Sequence, residues 1–277
     1  MATYRHMIFP NVNGSSVFAA WYECSPEAFQ IISSPGQPLR RPGTNASFFG
    51  GTTMSAFHIQ SGNIVHTGGN TNVADTGNAA TAMSVLFFEN VLPGQTHPIP
   101  HTPRVSNRVQ DLPSLINLLQ VNRNQSGIRW AIGGFTLFLN ETIANEAALD
   151  ARYDSVFPGM RVAGWIPWLG VGVRRARTFV AYSNARNVVC FGVMSDNINW
   201  NQTNGIRDNT VRPGQGSTYF DMYTVLRRPE FRCNIGISVD GGSSTRVQRP
   251  SGNNPIELRT TLNPRANVLC QLTATTM

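Results

Sequence analysis

The residues best suited to chemistry cluster in one short run, Val239-Asp-Gly-Gly-Ser-Ser-Thr245. Asp240 is a carboxylate at the end of an apolar stretch, a position suited to proton transfer or to orienting a water. Gly241 and Gly242 can take positive φ and let a ligand approach the backbone closely. Their N–H groups, with the hydroxyls of Ser243, Ser244 and Thr245, can surround an anion as a nest. Asp-Gly-Gly is also a common hairpin turn, and composition by itself favours that plainer reading.

Three other segments carry candidate groups. Asn45-Ala-Ser-Phe-Phe-Gly-Gly-Thr52 joins an amide, two aromatic rings and a glycine pair. Arg174-Arg-Ala-Arg-Thr-Phe-Val-Ala-Tyr182 opens a strand with arginine and threonine, and Arg129 to Glu141 runs through Gly133-Gly134. A guanidinium is a rigid fork of donors that matches phosphate oxygens, so Arg177 or Arg129 can clamp a phosphate in bidentate fashion. Arg177 reads equally well as a surface arginine in a basic run. Asp221 and Glu141 are the carboxylates available as a second acid, and Asp221 reads better as a solvated helix residue.

Other chemistries find less support. The histidines are His6, His58, His66, His97 and His101. His97 and His101 lie four apart, but Pro98 and Pro100 forbid the helix that would bring them to one face. No metal site and no cofactor is expected, and a divalent ion held by Asp240 stays open as an alternative. Cys24, Cys190, Cys233 and Cys270 are scattered without a CxxC pair, which reads as free buried thiols in a reducing compartment. No Ser-His-Asp set, P-loop or dinucleotide fingerprint is present.

The elements that must position these groups are mostly short strands. Gly (25) and Pro (17) are plentiful and charged residues make up 13%, a mixture that favours strands joined by turns. Apolar stretches at 16–24 and 28–32 read as early strands. The pieces 56–60 and 63–66 form a hairpin around Ser61-Gly62. Further strands are expected at 83–90, 129–138, 177–182, 187–194, 234–239 and 267–273. Residues 112–122 have helical spacing of leucines behind Pro113. Residues 217–227 read as a helix capped by Ser217 or Thr218, and 141–153 as a helix or ordered loop. Without regular β-α alternation, the pattern is α+β: mostly antiparallel strands with two or three interspersed helices. No clean linker divides residues 1–277, which are read as one domain.

The net charge is +7, and all 22 basic residues are arginine. An anionic partner is therefore more plausible than a cationic one. The arginines are dispersed, which argues against polymeric nucleic acid and leaves a small anion. No apolar run reaches the roughly 20 residues of a membrane span, so no membrane partner is expected. The N-terminus has no basic region followed by an apolar stretch, and a cytoplasmic location is expected.

The order of the segments is more specific than any one of them. Asn45-Ala-Ser-Phe-Phe49, Gly133-Gly-Phe-Thr-Leu137, Arg177-Thr178, Gly216-Ser-Thr-Tyr-Phe-Asp221 and Val239-Asp-Gly-Gly-Ser-Ser-Thr245 follow one another in a succession that resembles the phosphodiester glycosidase family. The resemblance spans 45–247. Two departures are plain: Ala-Ser follows Asn45 where the family has Gly-Gly, and the aspartate turn has two glycines where the family has three. The resemblance implies a hydrolase acting on a small phosphodiester, either a glycosyl phosphodiester or a nucleotide type such as a cyclic messenger. The catalytic candidates are Asp240 and Asn45, with Asp221 or Glu141 as the second acid where the two-carboxylate logic of glycosidases applies. Arg177, Thr178, Arg129, Phe49, Gly241, Gly242, Ser243 and Ser244 are the implied ligand contacts. The alternative is a non-catalytic protein that sequesters a phosphodiester or nucleotide in the same pocket.

Overall fold

A computed structural model describes residues 2–33, 39, 41–46, 49–50, 53–54, 58–65, 83–90, 102–109, 111–119, 125–158, 173–196, 200–201, 205–206, 216–239, 245–249, 256–259 and 270–275. In chain order the strands begin with β1 (Thr3–Val12), β2 (Ser15–Cys24), β3 (Phe29–Ser33), β4 (Gly43–Ala46), β5 (Phe49–Gly50) and β6 (Thr53–Met54). Next come β7 (His58–Gln60), β8 (Asn63–Ile64), β9 (Met83–Glu89), β10 (Arg104–Val109), β11 (Ile128–Thr136), β12 (Arg177–Ser183) and β13 (Val188–Asp196). The last are β14 (Trp200–Asn201), β15 (Gly205–Ile206), β16 (Ile235–Val239), β17 (Arg246–Arg249), β18 (Ile256–Arg259) and β19 (Cys270–Ala274). Three α-helices are described: α1 (Leu112–Leu118), α2 (Glu146–Val156) and α3 (Tyr219–Leu226). The fold is α+β, with every described strand pair antiparallel.

Local sequence explains the punctuation. Ser61 and Gly62 sit at φ 50 and 77, the left-handed pair that a two-residue hairpin needs between β7 and β8. Each helix opens on a side-chain cap: Asp111, Asn145 and Thr218 accept from the N–H of Ser114, Ala148 and Asp221 respectively. The helix expected over 112–122 is described only to Leu118, and 120–124 lie outside the described residues.

A ten-stranded sheet runs in the order β1-β2-β13-β12-β16-β11-β7-β8, with β9 joined to β11 and β10 to β9. A second sheet has the order β18-β17-β4-β19-β3. Side chains alternate across β12, and this divides the core in two. Phe179 and Ala181 join Leu149, Tyr219, Met222 and Leu226 under the helices. Val180 and Tyr182 join Phe29, Val247 and Leu272 between the two sheets. The layers are thus helices, large sheet, small sheet.

Candidate functional site

Asn45, on β4 of the small sheet, is fully buried, and its Oδ1 is the point where three distant segments meet. The Thr178 hydroxyl, on β12 of the large sheet, donates to it at 3.0 Å. The Arg246 N–H, opening β17, donates to the same oxygen at 2.8 Å. Thr178 in turn pairs with Val239, the last residue of β16. The chain therefore enters 240–244 beside Thr178 and leaves it beside Asn45. Asp240, Gly241, Gly242, Ser243 and Ser244 themselves lie outside the described residues, as does the side chain of Phe49.

Arg177 does not face this oxygen. It is one residue from Thr178 on β12, so strand alternation turns it toward the helices. There its guanidinium lies 4.2 Å from the Tyr219 ring centre, while Nε donates to the Ser217 carbonyl (3.3 Å) and Nη2 to that of Val173 (2.5 Å). The side chain is 2% exposed, so this is not the surface arginine that the basic run allows. Burial pushes its pKa down; Tyr219 and Tyr153 oppose this and the neighbouring Arg175 adds to it. Guanidinium stays charged in proteins, and among the described residues Arg177 makes no ion pair. Tyr153 beside it is partly buried, and desolvation of its phenol holds the pKa well above the ordinary range.

The remaining carboxylates are engaged elsewhere. Asp221 is fully buried, which corrects the expectation of a solvated helix residue. It closes a capping box with Thr218: its Oδ2 accepts from the Thr218 N–H (2.9 Å) and its own N–H donates to the Thr218 hydroxyl (3.0 Å). Asn13 Nδ2 (2.9 Å) and Arg174 Nη1 (3.3 Å) occupy its other acceptor positions. Glu141 is held by both nitrogens of the Arg152 fork, at 2.7 Å each. Arg129 donates to the Glu27 carbonyl at 2.7 Å. It lies six residues before Phe135, the partner of Ser238, hence roughly 20 Å along β11.

Two glycines of the sequence succession are required by close backbone approach. A Cβ at Gly134 would meet the Ser238 carbonyl oxygen at 2.4 Å, blocking the β11–β16 junction. Gly216 sits at φ +100 with the Arg175 backbone 2.4 Å from a Cβ, and this contact seats the start of α3 against the segment leading to β12.

Sequence reasoning missed Arg246 and Tyr219. Arg246 is 1% exposed and directly follows the glycine turn; no local signal marks it, because Arg246 and Gln248 are buried along with Val247 between them. Tyr219 stands one place after the Thr218 cap, where a helix presents its first side chain. Among the described residues no group of three His, Cys, Asp or Glu could hold a metal ion. His66, His97 and His101 lie outside them. No described helix is long and apolar enough to cross a membrane. All four cysteines are buried thiols, none of them in a disulfide.

The chain is similar to the zebrafish N-acetylglucosamine-1-phosphodiester alpha-N-acetylglucosaminidase catalytic domain auto-inhibited by its pro-peptide. That match has a TM-score of 0.55 and 13% identity over 98% of this chain and 81% of that one. A hypothetical protein from Synechocystis matches with a TM-score of 0.48 and 11% identity, over 99% of this chain and 62% of that one. At such identity the likeness is one of fold. No family model matches the sequence, and no curated protein matches it.

Proposed function

We propose that the protein, taken as one domain over residues 1–277, binds a small phosphodiester where β16 ends and β17 begins, and hydrolyses it with Asp240 as the carboxylate that activates water. The observation that carries this reading is the anchoring of both ends of 240–244 on Asn45, through Thr178 beside Val239 and through the Arg246 N–H. A run of Asp, two Gly and two Ser fixed at both ends offers N–H and hydroxyl donors to an anion. Buried Arg177 and Arg246 add positive charge on the elements that flank it, which favours a negative ligand and a developing negative charge on phosphate. Asn45 acts here as a brace. The ligand carries a sugar or a nucleotide on the phosphate. The distant likeness in fold to a phosphodiester-cleaving domain supports hydrolysis.

One observation favours sequestration without turnover as a second reading. Asp221 and Glu141, the carboxylates available as a second acid, are bound up in a cap and an arginine fork, which leaves the two-carboxylate scheme of glycosidases short of a partner. A single experiment separates the readings. The protein is incubated with glycosyl phosphodiesters and with cyclic dinucleotides, and the mixtures are resolved by chromatography before and after heating. New products that vanish in Asp240→Asn support hydrolysis. Depletion of a ligand that returns intact on heating supports sequestration and overturns hydrolysis. Failure of both ligand classes to bind overturns both.

A further inference from the structure

Arg177 carries a buried charge that the described part of the chain does not neutralise. Two of its five N–H groups go to the carbonyls of Ser217 and Val173. Among the described residues no carboxylate pairs with it. Residues 159–176, which lead into β12, contain no Asp or Glu. A buried guanidinium without a counter-charge costs folding free energy, and an anion brought by a ligand supplies what the chain lacks.

The position of this charge matters as much as its burial. Val239, the last residue of β16, is the partner of Thr178, so Arg177 is the residue of β12 just past the end of that ladder, where the chain leaves for 240–244. On the Thr178 side the space is taken by the bonds that join Thr178, Asn45 and the Arg246 N–H. The helix side presents the guanidinium.

The fork is also fixed in place. The Tyr219 ring lies over it at 4.2 Å, and that ring packs in turn against Phe135 (6.2 Å) and Tyr153 (6.1 Å). Tyr219 is 2% exposed and opens α3 directly after the Thr218 cap, so helix and sheet together set its ring. Two carbonyls along the fork and a ring on its face leave the guanidinium little freedom.

We propose that the ligand's phosphate sits on the helix side of β12, against the Arg177 fork, and that Tyr219 is the residue that positions the fork. This rests on the reading of 240–244 as a phosphodiester site, and adds to it the side from which the phosphate is held and the charge it must carry. A phosphodiester spreads one negative charge over two non-bridging oxygens, which a guanidinium meets in bidentate fashion. A phosphotriester has no such charge.

The test is calorimetric binding of bis(p-nitrophenyl) phosphate and of its uncharged methyl triester, with the thermal midpoint of each variant recorded beside it. The wild type should prefer the diester by roughly tenfold or more. Arg177→Gln should lose most of that preference. Arg177→Met, which fills the space without charge, gives the same reading if the glutamine variant does not fold. Tyr219→Leu should cut the preference roughly threefold to tenfold, and Tyr219→Phe, which keeps the ring, should keep it. Adding Tyr219→Leu to Arg177→Gln should lower the preference no further. A side chain that only supports the fold would weaken both probes alike and leave their ratio unchanged. Diester binding with the ratio intact in the Arg177 variants, or in Tyr219→Leu, overturns the proposal and leaves the reading of 240–244 standing. A Tyr219→Leu loss repeated in full on top of Arg177→Gln, or matched by Tyr219→Phe, overturns the positioning role. A folded wild type that binds no diester overturns the reading of the site, and this proposal with it.

Discussion

Replacing Thr178 with valine removes one hydroxyl and almost nothing else, which makes it a direct probe of the brace at Asn45. Thr178 and Asn45 are both fully buried, and the bond between them measures 3.0 Å. Its loss removes about 1 kcal/mol of net hydrogen bonding and leaves Asn45 Oδ1 poorer by one donor, for a total of about 1–2 kcal/mol. The oxygen still accepts from the Arg246 N–H at 2.8 Å, so the larger penalties for a wholly stranded buried acceptor do not apply. The strand preference of valine returns a few tenths of a kcal/mol, an amount too small to reverse the sign. In a chain of this size each kcal/mol moves the thermal midpoint by roughly 2–4 °C, so the midpoint should fall by roughly 1–7 °C. Asn45→Ala is more severe, at about 2–4 kcal/mol, because it strands two buried donors and opens a cavity. The assay is urea unfolding of the two single variants and the double, read as a double-mutant cycle. A coupling energy of about 1 kcal/mol is expected. If the coupling is near zero, or if Thr178→Val unfolds with the wild type, the Asn45 junction does not hold the two sheets together and the site argument loses its frame.

Asp221→Asn places an amide NH2 where three donors already converge: the Thr218 N–H, the Asn13 amide and the Arg174 guanidinium. Unfolding should be easier by about 2–4 kcal/mol, and a variant as stable as the wild type would show that the capping box carries no weight. Glu23 predicts an acid dependence. Burial raises its pKa, but hydrogen bonds from Arg186 (2.5 Å) and Trp21 (2.9 Å), with Arg5 nearby, outweigh burial and hold the carboxyl below its ordinary 4.5. The folded state therefore binds this proton less readily than the unfolded chain, and stability present above pH 4.5 drains away as pH falls through the lowered value. Glu23→Gln should flatten that limb of the stability–pH curve. An unchanged slope below pH 4.5 would refute the assignment.

Much of the fold was legible because its signals are local. Ser61-Gly62 marked a hairpin through the positive φ that the turn demands. Pro113 and Thr218 marked helix starts through orphan N–H groups that need a cap. The pairing of 177–182 with 187–194 followed from adjacent apolar runs and a short turn. Strand β1 was not legible, since an edge strand buries little on either face and its polar and apolar residues show no clean alternation. β10, β17 and β18 were missed for a related reason: arginine-rich stretches look solvated, while Arg246 is buried. The Thr218-to-Asp221 spacing was a capping box in plain sight, yet a carboxylate at a helix start also fits an acid, and only its partners separate the two.

What the sequence by itself determined was the class of fold and the succession of turns, caps and glycines, because each depends on neighbours within a few residues. Which groups share a site was decided by tertiary structure. Asn45 meets Thr178 across 133 positions and Arg246 across 201, a matter of sheet order and register that no local pattern encodes. The same register parts Arg177 from Thr178: adjacent residues of a strand must point to opposite faces, and only the packed layers reveal that one face belongs to the helices and the other to the second sheet.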